Sequence, residues 1–110
     1  TRILEPTESE ILADICEYLT LRKVFFYRSN NIPVFDGDRF RAMPRYSRKG
    51  VPDIVCIIKG KYVGLEVKRK SGKMSDHQYQ FWKDVERAGG NYFIVRDTKE
   101  VETALGYVDK

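Results

Sequence analysis

Two apolar segments around a short turn constrain this chain more than any other feature. The stretch VPDIVCIIKGKYVGLEVKRK, residues 51–70, is typical of two strands joined at residues 59–61. The first strand has apolar residues on both of its faces, so we expect it to be central in a sheet that is covered on both sides. Asp53, Glu66 and Lys68 nevertheless lie in these strands, where a buried charge is costly unless it is paired or holds a metal.

Strand alternation predicts that these three charged residues share one face of the sheet. Glu66 and Lys68 are two positions apart and therefore point the same way. If residues 60–61 form a two-residue turn, Asp53 lies opposite Lys68 and diagonal to Glu66, with Cβ atoms roughly 5 to 8 Å apart. Two carboxylates at that distance can share a divalent cation. The alternative is an ordinary ion pair on a polar face, which a strand covered on both sides does not have.

The remaining elements follow from capping signals and periodicity. Thr7 to Glu10 and Ser75 to Gln78 each have the S/T-x-x-E/Q form of a capping box. The second helix has a predicted buried stripe, formed by Phe81, Trp82, Val85 and Ala88. The predicted elements are a helix over 8–22, strands over 24–29, 53–58 and 62–68, a helix from Ser75 that ends at Gly89-Gly90, a strand over 92–96 and a third, shorter helix over 97–105.

This order predicts an α/β fold with an αβββαβ core, a mixed central sheet flanked by helices, and a short C-terminal helix. With 110 residues, we expect a single domain over residues 1–110. The chain has no apolar run near the roughly 18 residues of a membrane span and no secretory signal, so we expect a cytoplasmic protein with no membrane role. Two separate cysteines and one histidine exclude a His/Cys zinc site.

Charge is unevenly distributed along the chain. Between Arg39 and Lys73 there are eleven cations and two acids, Asp53 and Glu66. Such a stretch is usually a solvated surface. Here the two acids lie amid the cations, which favours a bound polyanion next to a site that needs negative charge, and a metal is the simplest reason for that need.

Two further polar residues are candidates for the same site. At 100° per residue, the apolar positions of the first helix fall within about 60° of Glu8, so Glu8 leans toward the core face. Gln78 likewise lies above the apolar stripe of its helix. Each has a simpler alternative, because Glu8 suits the dipole of a helix N-terminus and Gln78 is the third residue of a capping box.

Pro52-Asp53 followed by Glu66-Val67-Lys68 resembles the PD-(D/E)XK nuclease superfamily, whose core has the same αβββαβ order. Short motifs of this kind are weakly specific. A longer set of residues resembles the VRR-NUC family across nearly the whole chain, and is close to its stand-alone members from phages and bacteria. That set is Glu8, Tyr27-Arg28-Ser29-Asn30, Gly50-Val51-Pro52-Asp53, Gly64-Leu65-Glu66-Val67-Lys68, Gly72-Lys73, Ser75, Gln78 and Gly89-Gly90.

The resemblance implies a restriction-endonuclease-like core and a set of residue roles. Asp53, Glu66 and the backbone carbonyl of Val67 would hold Mg²⁺ or Mn²⁺, which prefer oxygen ligands. Lys68 would position or deprotonate the attacking water. Glu8 would complete the site, and Gln78 would orient Lys68 or the water.

The expected activity is metal-dependent, structure-selective cleavage of DNA, with four-way junctions cut by a homodimer. Exposed aromatics such as Phe25, Tyr79 and Tyr107 are candidates for the dimer interface. The alternatives are a flap or nicking endonuclease and a catalytically silent DNA-binding module. The candidate phosphate contacts are Arg28, Arg39, Arg41, Arg45, Arg48, Lys49, Lys70 and Lys73.

Overall fold

The computed structural model describes residues 5–29 and 45–110. These residues form three helices and one four-stranded sheet. The elements in chain order are α1 (Glu8–Leu21), β1 (Phe25–Arg28), β2 (Ile54–Ile58), β3 (Lys61–Val67), α2 (Asp76–Arg87), β4 (Asn91–Val95) and α3 (Thr98–Val108). The predicted mixed α/β architecture and the order of its elements are therefore confirmed.

Each helix is preceded by an N-cap residue in the extended conformation. Thr7 and Ser75 both form complete capping boxes, and the Asp97 side chain accepts a hydrogen bond from the backbone N–H of Glu100. The predicted end of the third helix at residue 105 is wrong, because α3 continues to Val108. Val108 is buried in the core and extends the apolar stripe of the helix by one turn.

The sheet has the strand order β1-β2-β3-β4, with the first three strands antiparallel and β4 parallel to β3. Ile58 pairs with Lys61, so the hairpin turn consists of Lys59 and Gly60 rather than residues 60–61. Both turn residues have positive φ, 51° and 80°, as a two-residue turn that follows the twist of its strands requires. The expected register is therefore wrong by two positions, a shift that keeps each side chain on its face.

One face of the sheet, called here the closed face, is covered by α1 and α3. Cys56 and Leu65 on this face are fully buried. They belong to the apolar core cluster, to which both helices contribute. Its members are Ile11, Ile15, Leu19, Ile54, Cys56, Val63, Leu65, Val67, Val95, Val101 and Val108.

The opposite face, called here the open face, is covered only in part by α2. The Phe81 ring of α2 lies 6.0 Å from the ring of Tyr92 on β4. At the other side of the same face, Phe25, Tyr27 and Ile57 are exposed. The predicted buried stripe of α2 is wrong, since the helix has no buried residue and Ala88 is exposed. A helix that packs over one half of a sheet face leaves its flanks in contact with water.

In the described parts of the chain, none of the helices is long and apolar enough to cross a membrane.

Candidate functional site

Two acidic side chains face each other where β2 begins and β3 ends. Continuing the pairing of Ile54 with Leu65 by one residue places Asp53 directly across from Glu66 on the open face. The Oδ2 atom of Asp53 accepts a hydrogen bond of 2.8 Å from the backbone N–H of Val67. This bond fixes the Asp53 carboxyl against β3. Asp53 was expected to lie opposite Lys68, and the change in turn position brings the two acids closer together instead.

Lys68 supplies the positive charge next to this pair. Its Nζ atom lies 4.0 Å from Oε2 of Glu66, and the two side chains are only 12% and 5% exposed. Glu66 is the only charged residue that is buried in the described ranges 5–29 and 45–110. The predicted convergence of Asp53, Glu66 and Lys68 is thus found in the fold.

The pKa of Glu66 reflects its burial next to a second acid. Burial, together with the adjacent Asp53 carboxyl, raises the pKa of Glu66 to about 8, and Asp53 raises this pKa by more than Lys68 lowers it. Glu66 is therefore mostly protonated at neutral pH. The positive charge of one lysine does not compensate two carboxylates here, so a divalent cation is the chemical species that would ionise both of them.

Glu8 lies beside the site but is not directed into the core. It is the first residue of α1 and its side chain is exposed. Its Oε2 atom lies 3.4 Å from the position that a Cβ of Gly72 would occupy, and Cδ of Lys68 lies at the same distance from that point. The carboxyl of Glu8 therefore approaches Lys68 from the solvent side. No group of three or more Asp, Glu, His or Cys side chains that could hold a metal ion occurs among the residues described.

Gln78 serves the capping box that its position predicted. Its side-chain oxygen accepts a hydrogen bond of 2.9 Å from the backbone N–H of Ser75. The start of α2 also holds the segment that leads into β2, because Gly50 packs directly on the backbone of His77 and Gln78. A Cβ at Gly50 would overlap the carbonyl of His77, and Gly50 has a φ of +83° that favours glycine. The helix terminus thereby positions the approach to Asp53.

Tyr92 is a member of this site that sequence reasoning missed. It pairs with Gly64 in the parallel ladder between β3 and β4, so it shares the open face with Glu66. Burial raises the pKa of Tyr92, and the charges of Glu66 and Asp53 raise it further. The alternating pattern of residues 91–95 was visible in the sequence. Which of its residues face Glu66 depends on a pairing between segments far apart in the chain.

The candidate phosphate contacts are divided by the fold. Lys70 and Lys73 are exposed on the segment that follows Lys68. Arg48 is held by an ion pair of 2.8 Å to Asp84 and lies over the ring of Phe81. Arg45 and Lys49 are exposed on the segment that leads to Asp53, and Arg39 and Arg41 lie outside the described residues.

Arg28 is separated from the other candidates. It pairs with Ile54, whose side chain lies in the core of the closed face. The register therefore directs Arg28 away from the face that carries Asp53 and Glu66.

A scan against models of protein families found no match to this chain, and a search of curated proteins found no significant match.

Proposed function

We propose that this protein is a metal-dependent endonuclease that hydrolyses phosphodiester bonds in branched DNA. The observation that carries this proposal is the buried Glu66 carboxyl facing Asp53, with the Lys68 ammonium 4.0 Å away. Two carboxyl groups and one ammonium at the end of a sheet can hold a hard cation and a phosphate side by side. The motif residues Pro52-Asp53 and Glu66-Val67-Lys68, which resemble PD-(D/E)XK nucleases, support the same chemistry.

The acid pair fits a hard divalent cation such as Mg²⁺ or Mn²⁺. Asp53 and Glu66 would be its side-chain ligands, and the backbone carbonyl of Val67 would be a third oxygen donor. The raised pKa of Glu66 supports this fit, because a neighbouring cation would offset the burial and the Asp53 contact that keep the carboxyl protonated. When bound, such a cation polarises the phosphoryl oxygen and makes a water molecule more acidic.

The chain's own residues would position the reacting groups around that centre. The Lys68 ammonium has three donors, and it would orient the attacking water and stabilise negative charge on the phosphate. Glu8 approaches Lys68 from the solvent side, where its carboxylate would help to hold the ammonium in place. The side-chain oxygen of Gln78 is used by the helix cap, so its amide nitrogen is the group that would orient Lys68 or the water.

The surroundings of the site suit a DNA backbone. The segments 45–50 and 69–75 lead directly from Asp53 and Lys68, and both carry exposed cations. Phosphate contacts of this kind position a duplex without reading its bases. Recognition of DNA structure rather than sequence is consistent with that arrangement.

The proposed substrate is a four-way junction that a homodimer cuts on two symmetric strands. One domain of this size carries one active site, and a C2 dimer supplies the second. Phe25 and Tyr79 are 65% and 48% exposed on the open-face side, which is compatible with an interface between two copies, whereas Tyr107, 66% exposed, lies on α3 over the closed face.

The test is the cleavage of a labelled four-way junction in Mg²⁺ or Mn²⁺ by the wild type, Asp53→Asn and Lys68→Ala. We expect each substitution to lower the single-turnover rate by a factor of about 10² to 10⁴, with junction binding retained. Flap, nicked and linear duplex substrates measured in parallel would identify a flap or nicking enzyme. Binding without metal-dependent cleavage by the wild type would contradict the nuclease proposal and favour a silent DNA-binding module.

A further inference from the structure

The hydroxyl group of Tyr92 has no role in the chemistry described so far. Tyr92 is 4% exposed, and its ring packs against Phe81. Its hydroxyl oxygen is buried and makes no hydrogen bond of full geometry within the described ranges, although it lies close enough to the Glu66 carboxyl for that contact to help raise the pKa of Tyr92. Buried hydroxyl groups are normally paired, because an unpaired one loses its hydrogen bonds to water without compensation. A buried donor that is near an acid but does not complete a hydrogen bond with it points to a bond that is completed in another state of the site.

The sheet register identifies that acceptor. Tyr92 pairs with Gly64, and Glu66 is the next residue of β3 on the same face. A Cβ at Gly64 would lie 2.8 Å from Cγ of Pro52, so the residue before Asp53 packs on the β3 position that pairs with Tyr92. Glu66 and Asp53 are the two acids whose charges act on the Tyr92 hydroxyl.

We propose that Tyr92 is a positioning residue, whose hydroxyl donates a hydrogen bond to the Glu66 carboxylate when that carboxylate binds a divalent cation. This inference rests on the function proposed above. A carboxylate that gives one oxygen to a metal keeps a second oxygen that needs a donor, and such donors fix the orientation of the ligand. Lys68 is located 4.0 Å from the Glu66 carboxyl, and Tyr92 approaches from the neighbouring strand. Together they would hold the carboxylate in one rotamer.

The test compares Tyr92→Phe with the matched control Tyr62→Phe. Tyr62 also lies on the open face and is half-buried, but its hydroxyl acts on Tyr27 and Tyr92 rather than on the acids. Titration calorimetry of Mn²⁺ with the metal-free proteins measures the affinity directly, without DNA. We expect Tyr92→Phe to weaken Mn²⁺ binding by about tenfold or more and Tyr62→Phe to leave it unchanged. The melting temperature of metal-free Tyr92→Phe should be equal to that of the wild type or higher, because the unpaired hydroxyl is removed.

A metal affinity of Tyr92→Phe equal to that of the wild type would overturn the inference while leaving the nuclease proposal intact. Equal losses in both variants would also overturn it, because they would indicate a general effect of hydroxyl removal. If the wild-type protein does not bind Mn²⁺, the metal-bound Glu66 carboxylate does not form, and both proposals are overturned. A fourth outcome is that Tyr92→Phe selectively loses Mn²⁺ binding while the wild type binds Mn²⁺ but does not cut DNA. This result would support the role of Tyr92 and contradict the nuclease proposal.

Discussion

The two faces of the central sheet are built from the same strands and differ in almost every physical property. The closed face packs on α1 and α3 and contributes to a continuous apolar cluster. The open face carries the acid pair Asp53 and Glu66, exposed aromatic residues at one side and a helix with no fully buried residue at the other. Leu65 and Glu66 are neighbours in β3, yet one is fully buried in the apolar core and the other is a buried acid on the open face.

This difference separates stability from function within one strand. Residues of the closed face lose contact with water among apolar neighbours, which stabilises the fold by roughly 25 cal/mol for each Å² of apolar area buried. Residues of the open face keep groups that the fold does not satisfy, including an acid with a raised pKa and an unpaired hydroxyl. Such groups are unfavourable for stability, and their retention is typical of a site that binds something.

The largest expected effect is the loss of packing on the closed face. Leu65→Ala should lower the free energy of unfolding by about 2 to 5 kcal/mol, because it leaves a cavity in a fully buried cluster. Ile57→Ala removes a side chain of the open face that is 39% exposed. It should lower the free energy of unfolding by about 1 kcal/mol. Urea denaturation of both variants measures the difference. Equal losses would show that the open face is also part of the core in solution.

The second prediction concerns the pH dependence of the open face in metal-free protein. The pKa of Glu66 is raised from 4.5 to about 8, so the folded protein holds a proton that the unfolded chain releases between these values. The free energy of unfolding should therefore fall by a few kcal/mol as the pH rises from about 4.5 to 8. The side chain of Glu66→Gln cannot ionise. The free energy of unfolding of this variant should therefore equal that of the wild type near pH 5 and exceed it near pH 8.

Thermal unfolding of chelator-treated protein at a series of pH values checks this prediction. Leu65→Ala is the matched control, because it is less stable at every pH but keeps the ionisable group and the slope. A slope in Glu66→Gln equal to that of the wild type would assign the pH dependence to another group.

The smallest effect compares an exposed cation on the segment after Lys68 with a cation that β1 directs to the closed face. Lys70→Ala should weaken junction binding and reduce the slope of log K against log salt by about 1, as expected for one lost phosphate contact. Arg28→Ala removes a cation directed to the opposite face and should leave the slope unchanged. Fluorescence anisotropy at several salt concentrations measures both slopes. A reduced slope in Arg28→Ala would show that DNA also contacts the closed side of the sheet.

The elements of the fold could be predicted from the sequence because their signals are local. Thr7, Ser75 and Asp97 start their helices through contacts with residues three positions further on. The end of α3 was missed because the burial of Val108 depends on packing against the sheet rather than on its neighbours in sequence.

The candidate site was predictable only to the extent that it depends on alternation along a strand. Alternation alone placed Glu66 and Lys68 on one face, and the assumed two-residue turn placed Asp53 on the same face. Their pairing depended on which two residues form the turn, and Lys59 is not a residue type that usually adopts positive φ. Tyr92 joins the site through the parallel pairing of β3 with β4, for which the sequence contains no local signal.

The turn at Lys59 and Gly60 has a consequence for how this chain tolerates changes in length. It lies at the far end of the hairpin from the acids and is exposed, as loops that accept insertions usually are. It nevertheless sets the partner of every residue in β2 and β3. A single inserted residue that slipped this pairing by one position would exchange the faces of a whole strand and move an acid toward the apolar helices. A turn at the opposite end of the hairpin from the acids is thus not free to vary in length.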